Sequence, residues 1–117
     1  MPHAAFGAAA CVLNGRLFVA GGVGSDRLQM WDTVKWTLKA PMPAVRRRAA
    51  SVVHERKMMV IGGFVDGEGT TASVILYDPQ TDTWADGPPL PSPRYGCQAV
   101  EHAGTVILVG GGPALRF

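Results

Sequence analysis

The amino-acid sequence predicts an all-β fold of repeated four-stranded antiparallel units, and three observations lead there. The 15 Gly and 9 Pro among 117 residues demand many turns and short segments, which excludes a helical bundle. An apolar run closes on a Gly-Gly pair three times, over residues 16–22, 57–63 and 105–111. The offsets of 41 and 48 residues between these runs also superpose Met1-Pro2 on Met42-Pro43 and Leu90-Pro91, and the small residues around Ala9-Ala10 on those around Ala50-Ser51 and Gln98-Ala99. Independent positions agreeing in one register mark an internal repeat. With 47% hydrophobic and 17% charged residues, the chain can bury a core of one ordinary domain's size.

Each unit reads as four strands in order. The first, about 6 to 13 and its equivalents, is rich in Ala, Val and Cys and ends at a two-residue turn: Asn14-Gly15, Glu55-Arg56 or Ala103-Gly104. Asn-Gly signals a hairpin because a type I′ turn needs positive φ at both central residues. The second strand is the run that closes on Gly-Gly, and its near-continuous hydrophobicity predicts burial on both faces. The third, 28 to 31 and 73 to 77, carries an aromatic-Asp pair, Trp31-Asp32 or Tyr77-Asp78. The fourth starts at Trp36 or Trp84 and dies in Pro41 or Pro88-Pro89, since proline cannot donate to a ladder. The longer spacing of the second unit resolves into insertions around Asp66-Gly67-Glu68-Gly69-Thr70 and Pro79-Gln80-Thr81-Asp82, where loops tolerate them. Four antiparallel strands in this period make a β-propeller blade. Glycine ends a buried strand where a Cβ would clash, and one Trp per blade fills the gap between neighbouring twisted sheets. An isolated blade cannot bury both faces and needs a neighbour.

The remaining chemistry is sparse. A net charge of +2 predicts neither nucleic-acid nor membrane binding. No run of eighteen apolar residues occurs, and residues 4–13 lack the basic flank of a signal peptide; a cytoplasmic location is expected. Cys11 and Cys97 read as reduced core residues. His54 and His102 coincide under the 48-residue shift beside the first turns, so they read as turn-edge residues, and no metal is expected. Gly67, Gly69 and Ala72 fit a loose dinucleotide fingerprint, but a strand follows where that motif needs a helix. Gly110-Gly111-Gly112 lacks the Lys-Ser/Thr of a phosphate loop. No cofactor and no catalytic residue are expected. Arg46-Arg47-Arg48 is the only basic run, too short for a nucleic-acid patch.

The order Gly-Gly, aromatic-Asp, Trp, then Pro followed by Arg resembles the Kelch repeat. The resemblance implies Kelch-type β-propeller blades of four antiparallel strands, about two and a half of them in an incomplete ring: repeats over 1–42 and 43–90, and the first half of a third over 91–117. The first unit departs from the pattern at Trp31, where the family usually has Tyr, and at Ala5, where the later units carry Arg46 and Arg94.

The resemblance further implies a protein-interaction module, possible substrate-adaptor work in ubiquitination, and a rim of loops that binds a partner protein. Arg46 and Arg94, flanked by Arg47 and Tyr95, are the matching positions; an Arg fork with a rigid phenol suits an acidic segment. Ser25 and Asp26 in loop 23–27, and Asp66 and Glu68 in loop 65–71, belong to the same rim. Exposed sheet edges would be relieved by self-association or by the remainder of a larger propeller; the segment reading is preferred. An enzyme of the copper radical oxidase or sugar-converting kind is the other class the resemblance allows. Only Tyr77 and Tyr95 could serve as tyrosine ligands of such an oxidase, and Tyr77 already belongs to the repeat signature.

Overall fold

Left-handed turns set the framework. Asn14 and Gly15 have φ of 55° and 73°, Glu55 and Arg56 of 52° and 65°, and Ala103 and Gly104 of 51° and 79°, so all three first turns take the geometry that Asn-Gly predicts for one of them. Each closes a two-residue hairpin loop, pairing Leu13 with Arg16, His54 with Lys57 and His102 with Thr105. The register of the long strands follows from these turns.

The computed structural model describes residues 7–110 and the backbone of 115–116. The Met1-Pro2 and Ala5 positions and Gly111-Gly112 lie outside the described residues. The first sheet is a meander of β1 (Ala9–Leu13), β2 (Arg16–Ala20), β3 (Leu28–Trp31) and β4 (Trp36–Lys39). The second unit contributes β5 (Arg46–Arg47), β6 (Ala50–His54), β7 (Lys57–Ile61), β8 (Phe64–Val65), β9 (Gly69–Thr70), β10 (Val74–Asp78) and β11 (Thr83–Asp86). Of these, β6, β7, β10 and β11 form the second antiparallel meander. The third sheet is β12 (Gln98–His102), β13 (Thr105–Val109) and β14 (Leu115–Arg116). The described chain is all-β and makes two four-stranded blades and part of a third; among the described residues no helix is long and apolar enough to cross a membrane.

One expectation is corrected here. Residues 65–71, read from sequence as a loop, belong to a small hairpin that begins at Phe64: β8 and β9 pair with each other and β8 pairs with β5, matching Arg46 with Val65 and Arg47 with Phe64. Two-residue strands carry no measurable periodicity, so only the structure reveals them.

The core forms between sheets. Along β7, Met58 and Val60 point to the first sheet, where they pack with Leu13, Phe18, Leu28 and Met30. Met59 and Ile61 point the other way, toward Leu90 at the end of the second unit and Val106 and Leu108 of the third. The alternation of a pleated strand thus serves two cores, which explains why the run is apolar throughout. In β10, Ile75 and Tyr77 join the first core and Val74 and Leu76 the second.

The aromatic positions join blades. Tyr77 is fully buried, with ring centroids 5.7 Å from Phe18 and 5.1 Å from Trp84. Its hydroxyl donates to Asp82 Oδ1 at 2.6 Å, and the same oxygen accepts the Ala40 N–H at 2.9 Å. Trp84 Nε1 donates to the Ala40 carbonyl at 2.8 Å. Both backbone groups of Ala40, at the exit of the first blade, are therefore held by side chains of the second. In the first blade Trp31 stacks on Trp36 at 5.4 Å, and the shorter turn is closed by Asp32, which accepts the N–H groups of Val34 and Lys35.

The Gly-Gly pairs are where one unit meets the next. The N–H of Gly22 donates to the Arg46 carbonyl at 2.9 Å, and the N–H of Gly63 to the Arg94 carbonyl at 2.7 Å. A Cβ on Gly21 would stand 2.3 Å from the Arg46 oxygen, and one on Gly62 would stand 2.6 Å from that of Arg94. Glycine is required because the following chain crosses in contact with the backbone.

Candidate protein-binding rim

The end of the blades where β2 and β7 finish and the next unit begins gathers every residue the sequence assigned to a partner. The structure divides them into a floor and a surface.

Arg46 belongs to the floor. It is buried; Nη1 donates to the carbonyls of Gly62 at 2.8 Å and Ser73 at 3.1 Å, and Nη2 to Ser73 Oγ at 2.6 Å. Burial lowers its pKa from the ordinary arginine value, while Glu68 and Asp86 act in the opposite sense. Its Nε is buried without a hydrogen-bond partner. Arg94 is buried too, with its backbone N–H donating to Thr71 and its carbonyl receiving Gly63. Ser25 is buried: its hydroxyl accepts the Arg27 N–H at 3.1 Å and its own N–H donates to the Gly22 carbonyl at 3.2 Å. Asp26 is half-buried, and its carbonyl accepts the N–H of the buried Met42 at 2.7 Å.

Arg47 and Tyr95 form the surface. Arg47 stacks on Phe64 with its guanidinium 4.4 Å from the ring centroid and pairs with the exposed Asp66 at 3.1 Å. Cation–π contact and ion pair together fix its fork. Tyr95 is 51% exposed. The two share a shallow cleft of about 240 Å³ lined also by Arg48, Phe64 and Thr70. Asp66 and Glu68 are exposed on the β8–β9 turn beside it, outside the cleft lining.

Arg48, Phe64 and Thr70 are the residues that sequence reasoning did not assign. A signal for Arg48 existed: offsets of 41 and 48 place it opposite Gly7 and Gly96. All three share a left-handed backbone, with φ of 75° at Gly7, 55° at Arg48 and 69° at Gly96. The Arg48 N–H donates to Gly7 and its carbonyl accepts from Gly96, so these positions stitch three units together at the rim.

Elsewhere, Cys11 and Cys97 are free and half-buried, and burial pushes the Cys11 thiol up to about 11. His54 Nδ1 pairs with Glu101 across β6 and β12, and Nε2 lies 3.7 Å from Glu55. Among the described residues no group of three His, Cys, Asp or Glu side chains could hold a metal.

Comparison with known proteins agrees with this architecture. Residues 46–91 match the Kelch motif. The chain is 31% identical to mouse Kelch-like protein 35, over 95% of this chain and 20% of that one. It is 32% identical to beta-scruin of Limulus polyphemus, over 88% of this chain and 13% of that one. An F-box/kelch-repeat protein of Arabidopsis thaliana is 32% identical over 81% of this chain and 30% of its own length. The chain thus spans less than a third of the length of each of these relatives. The solved structure of YjhT superposes with a TM-score of 0.86 at 24% identity, over 95% of this chain and 35% of that one. The repeating unit of this chain is the Kelch repeat, and its sheets are blades of a Kelch-type β-propeller.

Proposed function

We propose that the chain is a non-enzymatic protein-interaction module whose rim receives an acidic segment of a partner protein. The observation that carries this reading is the cleft between Arg47 and Tyr95. A guanidinium held over Phe64 and an exposed phenol converge there above a floor locked by Arg46 and Arg94. Rigid recognition groups on a fixed scaffold lose little entropy on binding. Likeness to Kelch-like and F-box/kelch-repeat proteins favours a cytoplasmic adaptor that presents substrates for ubiquitination.

An oxidase reading would need Tyr and His copper ligands. Tyr77 is instead committed to the inter-blade core, with its hydroxyl given to Asp82 and its pKa raised by burial, with Asp82 adding; this supports the binding reading. The test is binding of an oligoglutamate peptide to the full chain, compared with Arg47→Glu and Tyr95→Ala. Each substitution is expected to weaken binding at least about fivefold. Unchanged affinity in both would sink the proposal.

A further inference from the structure

We infer that Ser92 is the phosphate acceptor of a proline-directed serine kinase, and that phosphate there weakens the hold of the rim on an acidic segment. The second half rests on the rim reading above, whereas the first stands on the repeat itself. Under the 48-residue offset Leu90, Pro91 and Arg94 answer to Met42, Pro43 and Arg46, so the fold accounts for them. It does not account for Ser92-Pro93, which stands where the second unit has Ala44-Val45. No other Ser-Pro and no Thr-Pro dipeptide occurs in the chain.

The segment is fixed at both ends and open between them. Leu90 is buried with its N–H donating to the Ala72 carbonyl at 2.8 Å, and Arg94 is buried with its N–H donating to the Thr71 carbonyl at 3.2 Å. Pro91, Ser92 and Pro93 are all exposed and lie outside the strands, whereas Ala44 and Val45 are half-buried. Pro91 has a fixed φ, and Pro93 biases the residue before it to extended backbone. The serine and the proline ring behind it, the two groups such a kinase reads, are therefore presented together. Of the four serines, Ser25 accepts the Arg27 N–H, Ser51 donates to the Ala10 carbonyl and Ser73 accepts from Arg46. Among the described residues nothing engages the Ser92 hydroxyl.

In the transfer Ser92 Oγ attacks the γ-phosphorus of ATP, its proton passes to the kinase's general base, and the bond to the departing ADP oxygen breaks. The product carries a charge of about −1.5 to −2 at pH 7. Tyr95, a wall of the cleft that Arg47 shares, follows closely along the same chain. The new charge stands on the rim and repels a carboxylate approaching that cleft.

The test is incubation of the folded full chain with ATP and a kinase of the cyclin-dependent class, followed by mass-spectrometric mapping. One phosphate is expected on Ser92. Ser92→Ala should lose it, and Pro93→Val should take it up at least about tenfold more slowly; both variants restore residues the second unit already uses, so the fold tolerates them. No phosphate on Ser92, equal uptake by Pro93→Val, or labelling only after heat unfolding would overturn the acceptor assignment. The phosphorylated chain should bind oligoglutamate at least about fivefold more weakly than the unmodified one, with the gap narrowing as salt rises. Equal affinity of the two forms would overturn the regulatory half. No binding of the peptide to the unmodified chain would defeat the rim reading and the regulation with it, while the phosphate map decides the acceptor by itself.

Discussion

The indole N–H of Trp84, in the second blade, donates to the carbonyl oxygen of Ala40 at the exit of the first, 2.8 Å away. The bond crosses between sheets, so the tryptophan fastens blades as well as filling the space between them. Trp84→Phe keeps most of the apolar surface and removes the donor. It is expected to cost about 1–2 kcal/mol, read as a lower urea midpoint with unchanged slope. An unchanged midpoint would mean that water replaces the bond at no cost.

Acid should loosen the same junction. Asp82 is held below the ordinary aspartate range, first by the Ala40 N–H and then by the Tyr77 hydroxyl. A carboxylate with a depressed folded pKa contributes stability that is complete above its unfolded value and is lost as pH falls through the folded one. Stability should therefore decline from the ordinary aspartate range, about pH 4, downward. Asp82→Asn should show a shallower decline over that window when thermal midpoints are measured against pH. Asp32, lowered chiefly by the N–H groups of Lys35 and Val34, adds a contribution that this substitution leaves in place.

The two kinds of left-handed glycine should respond differently to a methyl group. Gly62→Ala drives a Cβ to 2.6 Å from the Arg94 oxygen and should cost more than about 3 kcal/mol, the sum of backbone strain and displaced chain. Gly15→Ala meets nothing within 4 Å and should cost only the strain, about 1–2 kcal/mol. Equal losses in chemical denaturation would refute the close-approach explanation.

Arg46 should behave as a structural residue under mutation. Arg46→Met would strip the Gly62 carbonyl and the Ser73 hydroxyl of the Arg46 donor, leave the Ser73 carbonyl with the Gly62 N–H alone, and should destabilise by about 2–4 kcal/mol. Any loss of partner binding should track the unfolded fraction seen by circular dichroism. Binding lost by a fully folded variant would instead give Arg46 a direct contact.

Much of this architecture was legible in the sequence, and the reasons are local. The strands around Phe18, Met58 and Leu108 announce themselves because an apolar run must end where Gly-Gly ends it, and a turn such as Asn14-Gly15 has few alternatives. Less legible was whatever depends on the path of a neighbouring unit. The basic run 46–48 has one composition and three fates: Arg46 is buried and bonded to Gly62 and Ser73, Arg47 is stacked on Phe64, and Arg48 is exposed. Charge counting treats them alike, and only backbone conformation separates them. Ser25 was legible as a rim residue but not as a buried one, because its Oγ caps its own turn. The role of Asp82 in joining blades depends on a two-residue insertion bringing its carboxylate to Ala40, a distance that sequence does not express.

The carbonyls of Arg46 and Arg94, each received by a glycine of the unit before, also bear on how such chains can be recombined. A blade cut out at its Pro-rich borders leaves behind the partner of its own second glycine and imports a carbonyl suited to another. A graft that respects the interaction would carry the Gly-Gly pair together with the opening residues of its successor, so the portable module is offset from the repeat as it is written.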